Sequence, residues 1–330
     1  MKDLKLPNAF VQLPLRFDAQ RLAEEVAALG EDTWRPHPQN FPGNAMLPLI
    51  ASNGEAGNES FAPPMQPTPA LHASPCLWQT VATLGATLGR TRLMRLDGKA
   101  EVTPHADQGY YWAERTRVHI PIVTAPDVRF ICGESEVHMA AGECWIFDTW
   151  RIHQVINGPT VRRIHLVIDT VGGARFWDFA AKGRAHPSNA DYTRWAAREV
   201  AFQSDARPDL VLENVSIPEV MTPWEIESRL GFLLSESTNH PNMDKLRDHA
   251  AIFVRDWRGL WAQFGIGAQG KAHYRARRDA FVAAVRPLAA PITLLNELNL
   301  FNAILAGLCN VIIGEDSPVQ GRNRANAYVG

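Results

Sequence analysis

The 330-residue sequence is poor in several features that would point straight to a function class. It has no excess charge of one sign. Thirty-three Lys and Arg stand against 35 Asp and Glu, a formal net charge of −2, so a general affinity for nucleic acid or an acidic membrane has no electrostatic basis. Cysteine is scarce: Cys76, Cys132, Cys144 and Cys309 lie far apart with no C-x-x-C, which argues against a zinc knuckle or a disulfide scaffold. No apolar run is long enough to span a bilayer, because the longest, Leu300 to Gly314, is broken by Asn302 and Asn310. The start, MKDLKLPNAF, lacks the apolar stretch and cleavage site of an export signal. There is no G-x-S-x-G and no Cys/His pair at a recognisable spacing, so nucleophilic hydrolysis has no candidate. Together these absences predict a soluble, cytoplasmic protein with reduced thiols and no nucleic-acid or membrane partner; they leave the oligomeric state open, a homodimer included. What the chain does have is histidine: eleven in all, five of them between 105 and 165.

The pattern along the chain predicts an α+β protein. Residues 19–30 put Leu22, Val26 and Leu29 on one helical face and stop at Gly30. Residues 35–76 are rich in Pro, Gly, Asn and Ser and read as a long irregular insertion. After a helix at 76–88, residues 90–170 fall into short stretches with period-two alternation, such as RVHIPIV, ECWIFD and RIHLVIDTV, separated by turn residues. That texture predicts an antiparallel sandwich or barrel. Further on, Thr222-Pro223-Trp224-Glu225 is a helix-capping sequence, and residues 243–264, 272–286 and 293–313 have helical periodicity. We therefore expect a β domain over 1–185 and a helical domain over 186–330. Gly265 to Lys271 fits the phosphate-loop spacing G-x-x-x-x-G-K, but Ala272 stands where Ser or Thr is needed and the segment follows a helix, so it reads as a helix–helix turn.

The chemistry concentrates in the β segment. In His105-Ala106-Asp107 an extended backbone points both side chains to one face. Such a triplet alone is weak, since chance comes close to producing one in a chain with this many histidines. A turn, a strand and a polar loop (Gly142 to His153) then bring His153 in as a third ligand. Two His and one carboxylate fill one face of an octahedral Fe(II) and leave three positions open for a chelating 2-oxo acid and O₂. Arg163 opens the next strand, where its planar fork suits the far carboxylate of such a cosubstrate. Alternation sends Arg162 to solvent. It also places Arg117 and His119 on one face of RVHIPIV and Val118, Ile120 and Ile122 on the other, so the polar pair faces either a lined pocket or a hydrogen-bonded core. His165 reads as a pocket-wall or core histidine, and His138 as a core or surface residue that could also line the barrel. Asp148 or Thr149 is the expected partner that orients His153.

The elements H-x-D, R-x-H, G-E-x-W-x-F-D, the distal His, and R-h-H-L-V-h-D, in register over residues 90–172, resemble the aspartyl/asparaginyl β-hydroxylase family of Fe(II)/2-oxoglutarate dioxygenases. The complete H-x-D resembles its bacterial branch. The resemblance implies a double-stranded β-helix of the jelly-roll, cupin-like type, with His105, Asp107 and His153 as iron ligands. It also implies Arg163 on the distal carboxylate of 2-oxoglutarate, His119 assisting, and Arg117 facing cosubstrate or substrate. Trp224 to Phe232 resembles the helical region of bacterial free L-proline hydroxylases. The expected function is hydroxylation of a free, proline-like amino acid or similar metabolite. A peptide or protein aspartyl/asparaginyl β-hydroxylase and a non-catalytic cupin-like binding module are the alternatives.

Overall fold

The computed structural model describes residues 6–38, 41–158 and 162–316. Fourteen strands are described: Phe10–Phe17 (β1), Arg35–Pro36 (β2), Asn44–Ser52 (β3), Met65–Pro67 (β4), Thr87–Asp97 (β5), Glu101–His105 (β6), Thr116–Val123 (β7), Arg129–Cys132 (β8), Ser135–Val137 (β9), Glu143–Phe147 (β10), His153–Ile156 (β11), Arg162–Gly172 (β12), Arg184–His186 (β13) and Arg198–Val200 (β14). The α-helices are Ala19–Ala28 (α1), Pro69–His72 (α2), Pro75–Thr83 (α3), Tyr110–Ala113 (α4), Ala174–Ala181 (α5), Pro223–Ser235 (α6), Met243–Phe264 (α7), Lys271–Ala289 (α8) and Leu300–Ile304 (α9).

The strands form two sheets. The larger has ten strands in the order β13-β1-β10-β7-β12-β5-β3-β2, with β14 beside β1 and β4 beside β3; the smaller runs β6-β11-β8-β9. Alternation decides which residues fill the space between them. On β7 and β12 the apolar set (Val118, Ile120, Ile122, Ile164, Leu166, Ile168) points outward and is covered by Leu22 and Val26 of α1, Leu77 and Val81 of α3, and Phe176 of α5. The inner faces meet through Phe10, Leu96, Trp145 and Phe147 of the large sheet and Phe130, Cys132 and Val155 of the small one. The rings of Phe10 and Phe130 meet edge to face at 5.7 Å. This is the expected double-stranded β-helix, filled with side chains at one end and polar at the other.

Three segments differ from the sequence reading. The expected irregular insertion contains β3, nine residues long and almost wholly buried, paired along β5. Pro48 hides it: the register shifts between Pro48 and Ile50, and a bulge tolerates the missing N–H that would otherwise argue against a central strand. The helix expected from 293 begins at Leu300, because Thr293 bridges Asn299 and Glu297 takes a left-handed φ of 66°. Asn299 then caps the helix, its side chain accepting from Asn302 N–H, and a π-type turn follows at Leu305–Cys309. The third segment lies beyond β12. There the chain stays with the large sheet: β13 and β14 flank β1, and a strap at 211–213 exchanges Leu88 N–H to Val211 O (2.8 Å) and Glu213 N–H to Leu88 O (3.0 Å). Glu213 also forms a buried ion pair with Arg115. We propose on that basis that the helical unit starts between 213 and 223.

That helical unit has its own core. Phe253 of α7 stacks on Phe281 of α8 at 4.2 Å, and Trp257 packs against Tyr274 with tilted rings at 4.5 Å. Thr222 caps α6, accepting from Glu225 N–H. The turn from Gly265 to Lys271 joins α7 to α8, as its sequence implied. Among the described residues no helix is long and apolar enough to cross a membrane.

Gly142, which leads into β10, has φ +82°, and a Cβ there would run into the Phe17 carbonyl. Gly142→Ala should therefore cost at least ~1–3 kcal/mol, read as a lower urea midpoint at constant m-value. An unchanged midpoint would show that this turn relaxes freely.

Candidate metal centre

β6 and β11 are neighbours in the small sheet, and their register sets His105 directly opposite His153, with ring centroids 4.3 Å apart. Asp107, two residues past the end of β6, is held beside them by its N–H, which donates to the Thr149 carbonyl at 2.9 Å. One ligand atom from each of His105, Asp107 and His153 lies within 4.8 Å of the other two. Gly109, with φ +101°, then turns the chain away into α4, a backbone conformation that glycine adopts without strain.

The protonation pattern fits a cation. His105 Nδ1 is 2.8 Å from Thr103 O, and His153 Nδ1 is 2.9 Å from Arg151 O. A carbonyl can only accept, so each Nδ1 carries the hydrogen and each Nε2 keeps its lone pair for a metal. The Nε2 of His153 is buried without a protein partner. Burial pushes the pKa of His153 down to about 4, against an upward pull from Asp107, so the imidazole is neutral and available at pH 7. The expected orienting residues, Asp148 and Thr149, do not play that part. Asp148 instead accepts from Arg151 Nε (3.0 Å) and Trp150 N–H (3.2 Å), and a backbone carbonyl aligns His153.

Arg117 sits between two carboxylates. Its Nη1 is 2.9 Å from Asp107 Oδ2 and its Nε is 3.1 Å from Asp169 Oδ1, while its guanidinium lies 4.2 Å over the Trp112 ring. Asp107 thereby keeps Oδ1 on the side of His105, at 3.9 Å from His105 Nε2. Asp169, with no exposed surface, is also approached by Arg92 Nη2 at 3.7 Å and Tyr111 OH at 3.5 Å. Sequence reasoning gave Asp169 and Arg92 no role. The signal was there, since alternation from Arg163 and His165 carries Asp169 onto the same face, opposite Arg117 across β7 and β12.

Deeper in the barrel, Arg163, His119 and His165 form a second polar group. Arg163 Nη2 donates to His165 Nδ1 at 2.8 Å, and His119 Nδ1 lies 3.3 Å from the same atom. Because arginine only donates, His165 is the Nε2–H tautomer. All three side chains are buried. Burial lowers the Arg163 guanidinium to about 9, which leaves it charged at neutral pH. Burial, reinforced by Arg163, also holds His119 well below its ordinary value. Among the described residues no carboxylate pairs with Arg163. His138 is exposed, its Nδ1 3.1 Å from Val128 O, so it does not line the barrel. Arg162 is on the surface with Asp97 and Glu31.

Known proteins match this region. Residues 62–172, which include the whole constellation, match the family model described as Aspartyl/Asparaginyl beta-hydroxylase. Over that segment, about a third of the chain, the protein is similar to the family its motifs resembled. A curated relative, the L-proline cis-4-hydroxylase of Rhizobium meliloti (strain 1021), is 26% identical over 166 residues, which cover 47% of this chain and 58% of that protein. The match thus spans a little over half of the relative's length. Among solved structures, a 2OG-Fe(II) oxygenase family oxidoreductase from Burkholderia pseudomallei aligns with a TM-score of 0.36 and 15% identity, covering 48% of this chain and 80% of that one. A Pseudomonas putida prolyl-4-hydroxylase aligns at 0.34 and 12%, covering 50% and 92%.

His119, His153 and His165 are all held neutral below the ordinary 6.5, chiefly by burial. As pH falls through 6.5 the unfolded chain takes up protons that the folded chain refuses, so the stability present above 6.5 is lost on the way down to about 4, the value for His153. Urea midpoints of the metal-free chain should drop across that window. A His119→Gln, His165→Gln double variant should show a shallower drop, and an identical slope would contradict the assignment.

Proposed function

We propose that the protein is an Fe(II)- and 2-oxoglutarate-dependent dioxygenase that hydroxylates an unactivated C–H bond of a free, proline-like amino acid or a related small metabolite. The observation that carries this reading is Arg163: a charged guanidinium buried at the barrel floor, flanked by two neutral imidazoles and without a carboxylate partner among the described residues. An uncompensated buried charge costs several kcal/mol, and a dicarboxylate that reaches from the metal centre to this floor would offset it. His105, Asp107 and His153 would hold the iron, which with 2-oxoglutarate and O₂ supplies the oxidising power for the reaction.

The remaining residues hold, orient and exclude. Arg117 keeps one oxygen of Asp107 turned away from the metal position. His165 fixes the fork of Arg163, and His119, uncharged, adds no second cation to a site meant for one distal carboxylate. Beside the centre Phe61, Tyr111 and Trp112 pack as a buried aromatic cluster, with Trp112 under the Arg117 guanidinium and Tyr111 OH 3.5 Å from Asp169. Arg90 lies 4.0 Å over the Phe61 ring and 3.7 Å from Glu59, fastening the 59–61 stretch to this cluster. What favours a small substrate over a polypeptide is the likeness to the L-proline cis-4-hydroxylase relative. The setting we propose is the cytoplasm, where the four free, buried cysteines stay reduced.

The test is succinate release from 2-oxoglutarate with Fe(II), comparing free amino acids with Asp- and Asn-containing peptides. Stimulation by an amino acid and none by peptides is expected; the reverse would favour the peptide hydroxylase. Arg163→Ala should raise the KM for 2-oxoglutarate by ~100-fold, the equivalent of losing charge-assisted hydrogen bonds of about 1.5–3 kcal/mol, and Arg163→Lys should raise it less. Alanine at His105 or Asp107 should abolish turnover. Retained turnover in both would overturn the iron assignment.

A further inference from the structure

Each loop that carries a candidate metal ligand sends one aromatic ring out of the barrel and into the helical unit. Tyr110 lies three residues after Asp107, and Trp150 three before His153. Both belong to the apolar cluster built by α6 to α9, whose other buried members all lie at Ile217 or beyond. Polar contacts fix both rings. Tyr110 OH donates to Glu225 Oε1 at 3.0 Å. Arg229 lies 4.1 Å over the same ring, with its Nε 3.2 Å from Glu225 and its Nη2 2.6 Å from Glu114. The Trp150 indole N–H donates to Glu236 Oε2 at 3.2 Å, and the ring packs on Phe232 at 5.1 Å. Asn296 Nδ2 donates to the Trp150 carbonyl at 2.7 Å in a buried contact.

The barrel holds these loops too, through Arg117 Nη1 to Asp107 Oδ2 at 2.9 Å, Asp148 N–H to Ala9 O at 3.0 Å and Gly133 N–H to Ile152 O at 2.8 Å, and the helical unit adds its contacts from the other side. Asp107 lies beyond the end of β6, a strand exposed along most of its length. The 148–152 loop joins β10 to β11 and so leads from the large sheet to the small one. The Asp107 N–H to Thr149 O bond ties the two loops to each other, so either anchor bears on both. Metal ligands must converge within a fraction of an ångström, which demands a rigid support behind them.

We propose that the helical unit is the support of the metal centre: α6 and the 294–299 turn hold the Asp107 and His153 loops at the separation a metal needs. Tyr110, Trp150 and Asn296 are then positioning residues. This rests on reading His105, Asp107 and His153 as a metal site. A thermodynamic consequence follows from linkage. If the docked helices favour the ligand geometry, a bound metal must stabilise their docking by the same factor, although no ligand lies on them.

The experiment uses the full chain with Co(II) alone as probe, reading affinity, the d–d absorption that reports coordination geometry, and amide hydrogen exchange. The variants are Tyr110→Phe, Trp150→Phe and Asn296→Ala. Arg258→Gln, which removes a surface pair with Glu227, serves as the control in the helical unit. Partners of metal ligands typically change affinity ~10–100-fold. Contacts one step further out should weaken Co(II) by ~3–10-fold and alter the absorption, with the control unchanged. In the unaltered chain Co(II) should slow exchange in residues 226–235 and 300–309. The proposal is overturned if all three variants bind within twofold of the unaltered chain with the same spectrum, or if the control weakens equally. Should a variant fail to fold, exchange in the unaltered chain decides, and equal rates with and without Co(II) overturn the proposal. Failure of the unaltered chain to bind Co(II) would instead overturn the metal reading beneath it.

Discussion

Charge inside a β-sandwich has to be balanced, and the architecture of this protein follows from how that is done. The inner face of the large sheet carries Arg92, Arg117 and Arg163, all largely withdrawn from water. Two of them share Asp169, which has no exposed surface. The histidines among them stay neutral because burial outweighs every other influence on them. Cation in excess of carboxylate is tolerable in a dry interior only where an anion completes it. Arg163 is the one of the three with no carboxylate partner among the described residues, and it is there that we propose an anion binds.

Much of this was legible in the sequence because it depends on local period. Strand alternation alone sorts Arg117 and His119 from Val118 and Ile120, and Arg163 and His165 from Ile164 and Leu166; the structure keeps every one of those assignments. The H-x-D triplet and the distal His also converge as expected, since a sheet that brings β6 beside β11 leaves them little alternative. What sequence reasoning missed depends on cross-strand register or on tolerated exceptions. The Arg117–Asp169 pair joins residues 52 apart, and no local pattern announces it. β3 was hidden by Pro48, whose cost vanishes at a bulge. The late start of the last helix turns on Asn299, whose side chain caps it by accepting from Asn302 N–H, a contact that the apolar periodicity does not announce.

The helical unit and the strap at 211–213 stand in different relations to the barrel. The strap is part of the sheet by hydrogen bonding, and its Glu213 neutralises Arg115, two residues beyond α4. Burial raises the pKa of Glu213, while Arg115 opposes the shift, as befits a carboxylate whose place in the interior depends on its partner. The helices contact the barrel through side chains at its ligand-bearing loops. One attachment continues the sheet; the other braces the loops.

The orientation of both candidate iron-binding imidazoles is set by main-chain carbonyls, those of Thr103 and Arg151. Main chain is the one part of a protein that substitution leaves chemically intact. The tautomers therefore do not depend on the side chain at 103, whereas Arg151 is tied into its loop by its bond to Asp148 at 3.0 Å. Selection on the centre falls instead on backbone path: on Gly109, on the β6–β11 register, and on whatever fixes the course of the 148–152 loop. A lineage exploring new substrates could rewrite the rim residue by residue while the metal geometry passed unchanged from one variant to the next.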